Sequence, residues 1–321
     1  MGKNFASIDI GTHTARVLIG QKLGPPGLLR PIFRERTYIR LGEGFDHLGR
    51  KTIHSHAITR TVKALQDFSR YMKDFNVHKV LAVATGVVRE ASNRELFLGS
   101  IRQNTGFEVR PIGGDEEALL TGKGVLYALG VQKDPFVIFD LGGGSTEFLF
   151  GGRHAPEVRS IPIGAVTLTE KHLESDPPDE KELSFLSGYI DKSLKGLHLL
   201  SSQGRDNCPA DCLLIGTGGT VTTLAAMLHG ILPQEIGPER INGLILEGSD
   251  IGALFDKMSK LSVEERLRLP GLDPGRAGVI LAGALVVLRV LYFLRSSQMV
   301  VSLSDLLEGI LINYFEGEEH E

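Results

Sequence analysis

The most chemically loaded stretch of the chain is Asp140-Leu-Gly142-Gly143-Gly144-Ser145-Thr146-Glu147, between apolar runs at 136–139 and 148–150. Adjacent glycines tolerate positive φ and carry no Cβ, so their N–H groups can approach and converge on an anion. The flanking carboxylates cannot hold an anion themselves; beside one, they would serve a metal ion or a water to be activated. These residue types together suggest phosphate with a divalent cation. Near the N-terminus stands a second copy, in which Asp9, Gly11, Thr14, Leu18 and Gly20 match Asp140, Gly142, Ser145, Leu149 and Gly151. Arg16 occupies the place of Glu147, and Thr12 adds a hydroxyl to the shorter turn.

Three further sites carry chemistry. Cys212–Ile215 reads as a buried strand feeding Gly216-Thr-Gly218-Gly219-Thr220 and then a helix from Val221 to His229. A glycine turn leading from a strand into a helix N-terminus is a general phosphate-binding device. It is not a Walker loop, because no Gly-Lys-Ser/Thr follows. Val80–Val83 is a strand running into Ala84–Asn93, which places Arg89 at a strand end; its guanidinium fork matches phosphate oxygens, although a solvated arginine fits the spacing equally. Asp115-Glu116-Glu117-Ala118 opens a helix reaching about Leu129, with Asp115 as N-cap. For Glu116 the helix dipole is reason enough; Glu117 lies where the helix meets the junction of two lobes. Arg30, Arg34, Arg36 and Arg40, on a strand-like segment, read mostly as solvated.

Phe5–Ile8 and Val17–Ile19 read as the strands that flank the first hairpin, and helical spacing runs through Ile58, Val62, Leu65, Phe68, Tyr71 and Met72. The apolar run Ala277–Leu294 contains Arg289 and reads as a buried helix rather than a membrane span. A closing helix follows from Asp305 to Phe315. Strands alternating with helices, and a motif repeated after a domain's length, indicate an α/β protein with two lobes. This layout resembles the actin-like ATPase and sugar-kinase superfamily. The resemblance implies two ribonuclease H-like lobes, residues 1–124 and 125–304, with segment 305–321 packing back on the first. It also implies an interlobe cleft across which the two hairpins face each other.

The 321 residues include 39 glycines, well above the usual ~7%, and several fall in these loops. Net charge is −4, which argues against a generally basic nucleic-acid binder. Residues 1–125 nevertheless carry +7 and the remainder −11, as if an anionic ligand were met mainly from the first lobe. Cys208 and Cys212 are too few for zinc and read as free thiols in a reducing cytosol. No secretory signal pattern precedes the first strand.

Six motifs in order carry a more specific resemblance: Asp9-Ile-Gly-Thr12, Ala84-Thr-x3-Arg89-Glu-Ala-x-Asn93, Gly114-Asp-Glu-Glu-Ala118, Asp140 to Glu147, Gly216-Thr-Gly-Gly-Thr220 and Leu272-x3-Arg276-Ala. In this set the chain resembles the exopolyphosphatase/guanosine pentaphosphate phosphohydrolase family. The resemblance implies Mg²⁺-dependent hydrolysis of a terminal phosphoanhydride in polyphosphate or the guanosine alarmone, in the cytoplasm, without nucleic-acid or membrane partners, and leaves a homodimer open. It assigns Glu117 as the catalytic carboxylate and Glu147 as the residue that positions water. Gly11, Thr12, Arg89, Gly142, Gly143, Gly144, Ser145, Gly216, Gly218, Gly219 and Thr220 would bind phosphate, and Asp140 with Asp9 the metal. His13, Gly278 and Leu307 depart from the family pattern, which commonly has Asn, Asp and Arg there. The rival expectations are an ATP-dependent kinase of the same superfamily and a non-catalytic polyphosphate or alarmone sensor.

Overall fold

The computed structural model describes residues 2–24, 29–45, 49, 51–132, 135–151, 155–198 and 212–318. In chain order the first elements are β1 (Asn4–Ile10), β2 (Thr14–Lys22), β3 (Leu29–Tyr38), α1 (Ser55–Asp74), β4 (Val77–Ala84), α2 (Val87–Glu90), α3 (Arg94–Thr105), β5 (Val109–Pro111) and α4 (Gly114–Leu129). Next come β6 (Phe136–Leu141), β7 (Thr146–Gly151), β8 (Glu157–Ile161), α5 (Ala165–His172), α6 (Glu180–His198), β9 (Leu213–Thr217) and α7 (Gly219–Leu228). The chain then forms α8 (Pro238–Ile241), β10 (Ile245–Glu247), α9 (Gly248–Ser259), α10 (Val263–Arg266), α11 (Ile280–Phe293), β11 (Gln298–Val301) and α12 (Leu306–Glu318).

The chain divides into two units, Met1–Val125 with Asp305–Glu321, and Leu126–Ser304. The first unit's sheet has the order β3-β2-β1-β4-β5. Its first three strands form antiparallel hairpins, while β4 and β5 run parallel to β1. The second unit's sheet repeats the scheme as β8-β7-β6-β9-β11, with β10 added antiparallel at the far edge. The first sheet thus has the ribonuclease H-like third-second-first-fourth-fifth order, and the second has it once the added edge strand β10 is set aside.

Each sheet needs cover on its apolar faces. In the first unit, α1 turns Ala57, Ile58, Ala64, Leu65, Phe68 and Met72 inward at helical spacing, against Ile8, Val17 and Ile19 of the sheet. On the other face, Leu307, Leu311, Ile312 and Phe315 of α12 pack with Phe5, Leu18 and Leu29. Leu307, a departure from the family pattern, is therefore a core residue. In the second unit, α11 is apolar nearly all round and is buried, as such a helix must be. Among the described residues no helix is long and apolar enough to cross a membrane.

Two differences from the sequence reading are local. The helix carrying Glu117 begins at Gly114, so Asp115 lies within its first turn instead of capping it. Cys212 is disulfide-bonded, which corrects the expectation of a free thiol there; Cys208 lies outside the described residues.

Helices α4 and α12 approach so closely that only glycine fits at two positions. A Cβ on Gly309 would lie 1.8 Å from the Leu120 carbonyl oxygen, and one on Gly124 1.9 Å from that of Asp305. Alanine normally favours a helix over glycine by about 1 kcal/mol. Here overpacking reverses the sign: Gly309→Ala is expected to destabilise the protein by about 1–3 kcal/mol. A denaturant midpoint at or above that of the parent chain would refute the packing argument.

Candidate active site

In both units the first two strands set an aspartate directly opposite the residue seven places further on. Asp9 pairs with Arg16 and Asp140 with Glu147. The turns close alike, Gly11 N–H donating to the Thr14 carbonyl at 2.9 Å and Gly142 N–H to the Ser145 carbonyl at 3.0 Å. The repeat seen in the sequence is thus a repeat of hairpin geometry.

The triple-glycine turn of the second unit is oriented from behind by α5. Ala165 N–H donates to the Gly142 carbonyl, and the N–H groups of Val166 and Thr167 donate to that of Gly143, at 2.9–3.1 Å. In a planar trans peptide the N–H points opposite to the C=O. The Gly143 and Gly144 N–H groups therefore point away from α5, as an anion-binding turn requires. The approach is so close that a Cβ on Gly164 would lie 2.3 Å from Gly143 and Gly144 backbone atoms. Glu147 is buried beside this turn, and its Oε1 accepts from Ser145 Oγ at 2.6 Å and Ser160 Oγ at 2.7 Å. The Ser145 proton is committed to Glu147, so the turn's grip on an anion falls to its N–H groups.

Gly218 precedes α7 with φ of +94°, and a Cβ there would lie 2.7 Å from Asp140 Oδ1. The guanidinium of buried Arg276 covers Gly219, where a Cβ would lie 1.5 Å from Nη2. Asp140, the N-terminus of α7 and Arg276 are thereby neighbours. Two expected phosphate ligands have other side-chain environments. Gly216 lies inside β9, where a Cβ would meet Phe139 and Met299. The Thr220 side chain is buried against Gly283 of α11, which leaves its backbone for a ligand.

In the first unit, Asp9 Oδ2 accepts from Arg16 Nε at 3.0 Å and Nη2 at 2.7 Å. Arg16 Nη1 also donates to buried Asp305, at the start of α12. Two carboxylates on one guanidinium make Arg16 a structural cation. Burial pushes the Asp9 carboxyl above the usual aspartate range, against the lowering effect of Arg16. Its Oδ1 is buried without a hydrogen-bond partner. Such an oxygen suits a hard cation or its water shell. Among the described residues no three His, Cys, Asp or Glu side chains are grouped to hold a metal. A cation here would therefore keep most of its waters, as Mg²⁺ does.

Buried Thr12 accepts from Val87 N–H at 3.4 Å, which ties the first turn to α2. Arg89 extends from α2 and donates to Glu117 Oε2 at 3.3 Å and to the Ile112 carbonyl at 3.2 Å. Glu117 is only 9% exposed in the first turn of α4. Arg89 is thus no solvated arginine. Nor is Arg34, which pairs with Glu308, a carboxylate 2% exposed. Sequence reasoning missed Ser160, Asp305 and Glu308 as parts of these networks, and Arg276 as the cover of Gly219. Arg276 was legible in the sequence as part of the Leu272-x3-Arg276-Ala motif, though not as the cover of Gly219, while Asp305 and Glu308 depend on partners far along the chain.

Two ribonuclease H-like units, each opening on an Asp-headed hairpin, define a protein of the actin-like ATPase superfamily. The comparisons narrow the class. A model of the Ppx/GppA phosphatase family matches residues 22–317, and the chain belongs to that family. It is a hydrolase. Exopolyphosphatase 2 of Mycobacterium tuberculosis is 33% identical over 324 residues, covering 96% of this chain and 97% of the relative. The crystal structure of the Aquifex aeolicus Ppx/GppA family member has a TM-score of 0.81 at 32% identity, over 99% of both chains. An exopolyphosphatase structure from Cytophaga hutchinsonii has a TM-score of 0.86 at 26% identity, over 98% of both chains.

Removing Arg34 would leave Glu308 buried without its cation. Arg34→Ala is expected to cost about 2–3 kcal/mol, less than the 3–5 of a fully buried pair because Arg34 is partly exposed. Urea unfolding checks this; a loss under 0.5 kcal/mol, typical of a surface arginine, would refute it. The paired variant Ser145→Ala/Ser160→Ala should lower kcat by about 10-fold or more by releasing Glu147, each single variant having a smaller effect. Steady-state kinetics with an unchanged kcat would remove the hydroxyl pair from the site.

Proposed function

We propose that the chain is an exopolyphosphatase that releases terminal phosphate from inorganic polyphosphate with Mg²⁺, and that guanosine pentaphosphate is hydrolysed at the same kind of anhydride. The observation that carries this reading is the second hairpin, where outward-pointing glycine N–H groups adjoin a buried glutamate held by two hydroxyls. A kinase needs such an anion turn too, but not a carboxylate prepared to orient water. The exopolyphosphatase names of the relatives agree with it.

Phosphoryl transfer to water depends on positioning and charge neutralisation more than on covalent chemistry. The N–H groups of Gly143, Gly144 and the α7 N-terminus hold phosphate oxygens, with Arg89 as the further cation. Glu147 accepts one hydrogen of the attacking water and orients it. Glu117 takes the other proton as general base while the water oxygen bonds to the terminal phosphorus. The bridging P–O bond breaks, and its electron pair leaves on the shortened polyphosphate. General-base help of this kind is commonly worth about 10²–10⁴-fold. Asp9 and Asp140 would hold Mg²⁺ largely through waters, and the ion would neutralise phosphate oxygens.

Glu117→Gln keeps the shape and loses the base. It is expected to lower kcat by at least about 10²-fold while polyphosphate affinity stays within a few-fold. Colorimetric phosphate release from polyphosphate, guanosine pentaphosphate and ATP, with and without Mg²⁺, tests the whole reading. Turnover unchanged in Glu117→Gln would end the base assignment. ADP formation that depends on an acceptor would point to a kinase, and tight polyphosphate binding without phosphate release to a sensor.

A further inference from the structure

The first unit buries three carboxylates against two guanidinium groups. Asp9, Asp305 and Glu308 are 4%, 2% and 2% exposed, and are linked by Arg16 and Arg34. The links run in one direction along α12. Arg34 Nη2 donates to Glu308 Oε1, and Glu308 Oε2 accepts the Asp305 N–H at 3.0 Å. Asp305 Oδ1 accepts from Leu307 N–H at 3.3 Å, and its Oδ2 takes Arg16 Nη1. Arg16 then grips Asp9 Oδ2 with its two remaining donor nitrogens. Asp9 Oδ1 is the end of the line, buried and without a partner.

A single acid would satisfy Arg16 if the only task were to pin α12 to the sheet, and a buried ion network is a poor source of stability compared with apolar packing. The second acid has a geometric consequence. With Nη1 occupied by Asp305, the guanidinium plane is fixed, and only Nε and Nη2 reach Asp9. We infer that Asp305 is a positioning residue: acting through Arg16, it holds the Asp9 carboxylate so that Oδ2 is saturated and Oδ1 is presented to the hydrated cation. The surplus buried acid adds negative charge to that presentation. The inference rests on the metal role proposed for Asp9, and gives the C-terminal helix a part in hydrolysis.

The test measures Mn²⁺ binding to the full chain by electron paramagnetic resonance, together with kcat and KM for polyphosphate. Asp305→Asn removes the charge and keeps the shape. It is expected to weaken Mn²⁺ affinity about 10-fold, within the range for groups that orient a metal ligand. The kcat should fall similarly, with KM within twofold. Ser7→Ala is the structural control. It loses the 2.8 Å hydrogen bond to the Leu307 carbonyl that tethers the same turn of α12, and should lower Tm while leaving Mn²⁺ affinity and kcat within twofold. Asp305→Asn behaving like Ser7→Ala would overturn the inference, as would a parent chain that binds no Mn²⁺. Should Asp305→Asn fail to fold, Arg16→Lys keeps a cation but cannot bond both carboxylates. Unchanged Mn²⁺ affinity in that variant also overturns the inference, and the expected 10-fold loss supports it. A Glu117→Gln enzyme that still turns over would end the proposed base chemistry and leave this comparison intact.

Discussion

A one-residue slip in either hairpin would send its aspartate to the opposite face of the sheet, because side chains alternate with a period of two. Everything at the two Asp-headed turns rests on that register. It holds Asp9 opposite Arg16 and Asp140 opposite Glu147. The register is enforced by the surrounding apolar residues: Ile8, Ile10, Val17 and Ile19 have no exposure, and neither do Phe139 and Phe148. Shifting a strand would turn its charged residue from its partner into that apolar core. The cost of burying an unpaired charge thus fixes the chemistry as firmly as any bond within the site.

The two hairpins share a backbone and differ in what their second strand contributes. In the first unit Arg16 answers the aspartate, so charge is neutralised locally and the guanidinium has capacity to bind Asp305 as well. In the second unit Glu147 stands opposite Asp140, and two acids across a strand pair would repel each other. The structure manages this by giving Glu147 two hydroxyl donors, Ser145 and Ser160, on one oxygen. One duplicated backbone motif thus carries an Asp–Arg pair in the first unit and an Asp–Glu pair in the second.

Much of this was legible in the sequence for definite reasons. Strand runs, the helical spacing from Ile58 to Met72, and glycine turns at strand ends are local signals, and the elements stand where those signals placed them. The repeat beginning at Asp9 and Asp140 survives as matching sheet order and matching turn hydrogen bonds. What could not be read depends on pairings far apart in the chain. Arg34 looked like a solvated strand residue because Glu308 lies 274 positions away. Nothing local shows that the Thr220 side chain packs into the room left by Gly283. Asp115 lies two residues past the N-cap position, within the usual uncertainty of a helix end.

These long-range pairings give the closing helix a meaning that its composition hides. Leu307, Leu311, Ile312 and Phe315 account for its packing on β1 and β2, and hydrophobic burial alone would hold it there. The acids at its first turn are not needed for that purpose, and burying them is costly unless they are paired. Both are paired with arginines of β2 and β3, at neighbouring positions of the sheet that carries Asp9. Apolar packing thus sets the helix on the sheet, while the buried ion pairs set its rotation and its height along the strand. The ion pairs thereby fix where Arg16, and the carboxylate that it grips, stand on the sheet.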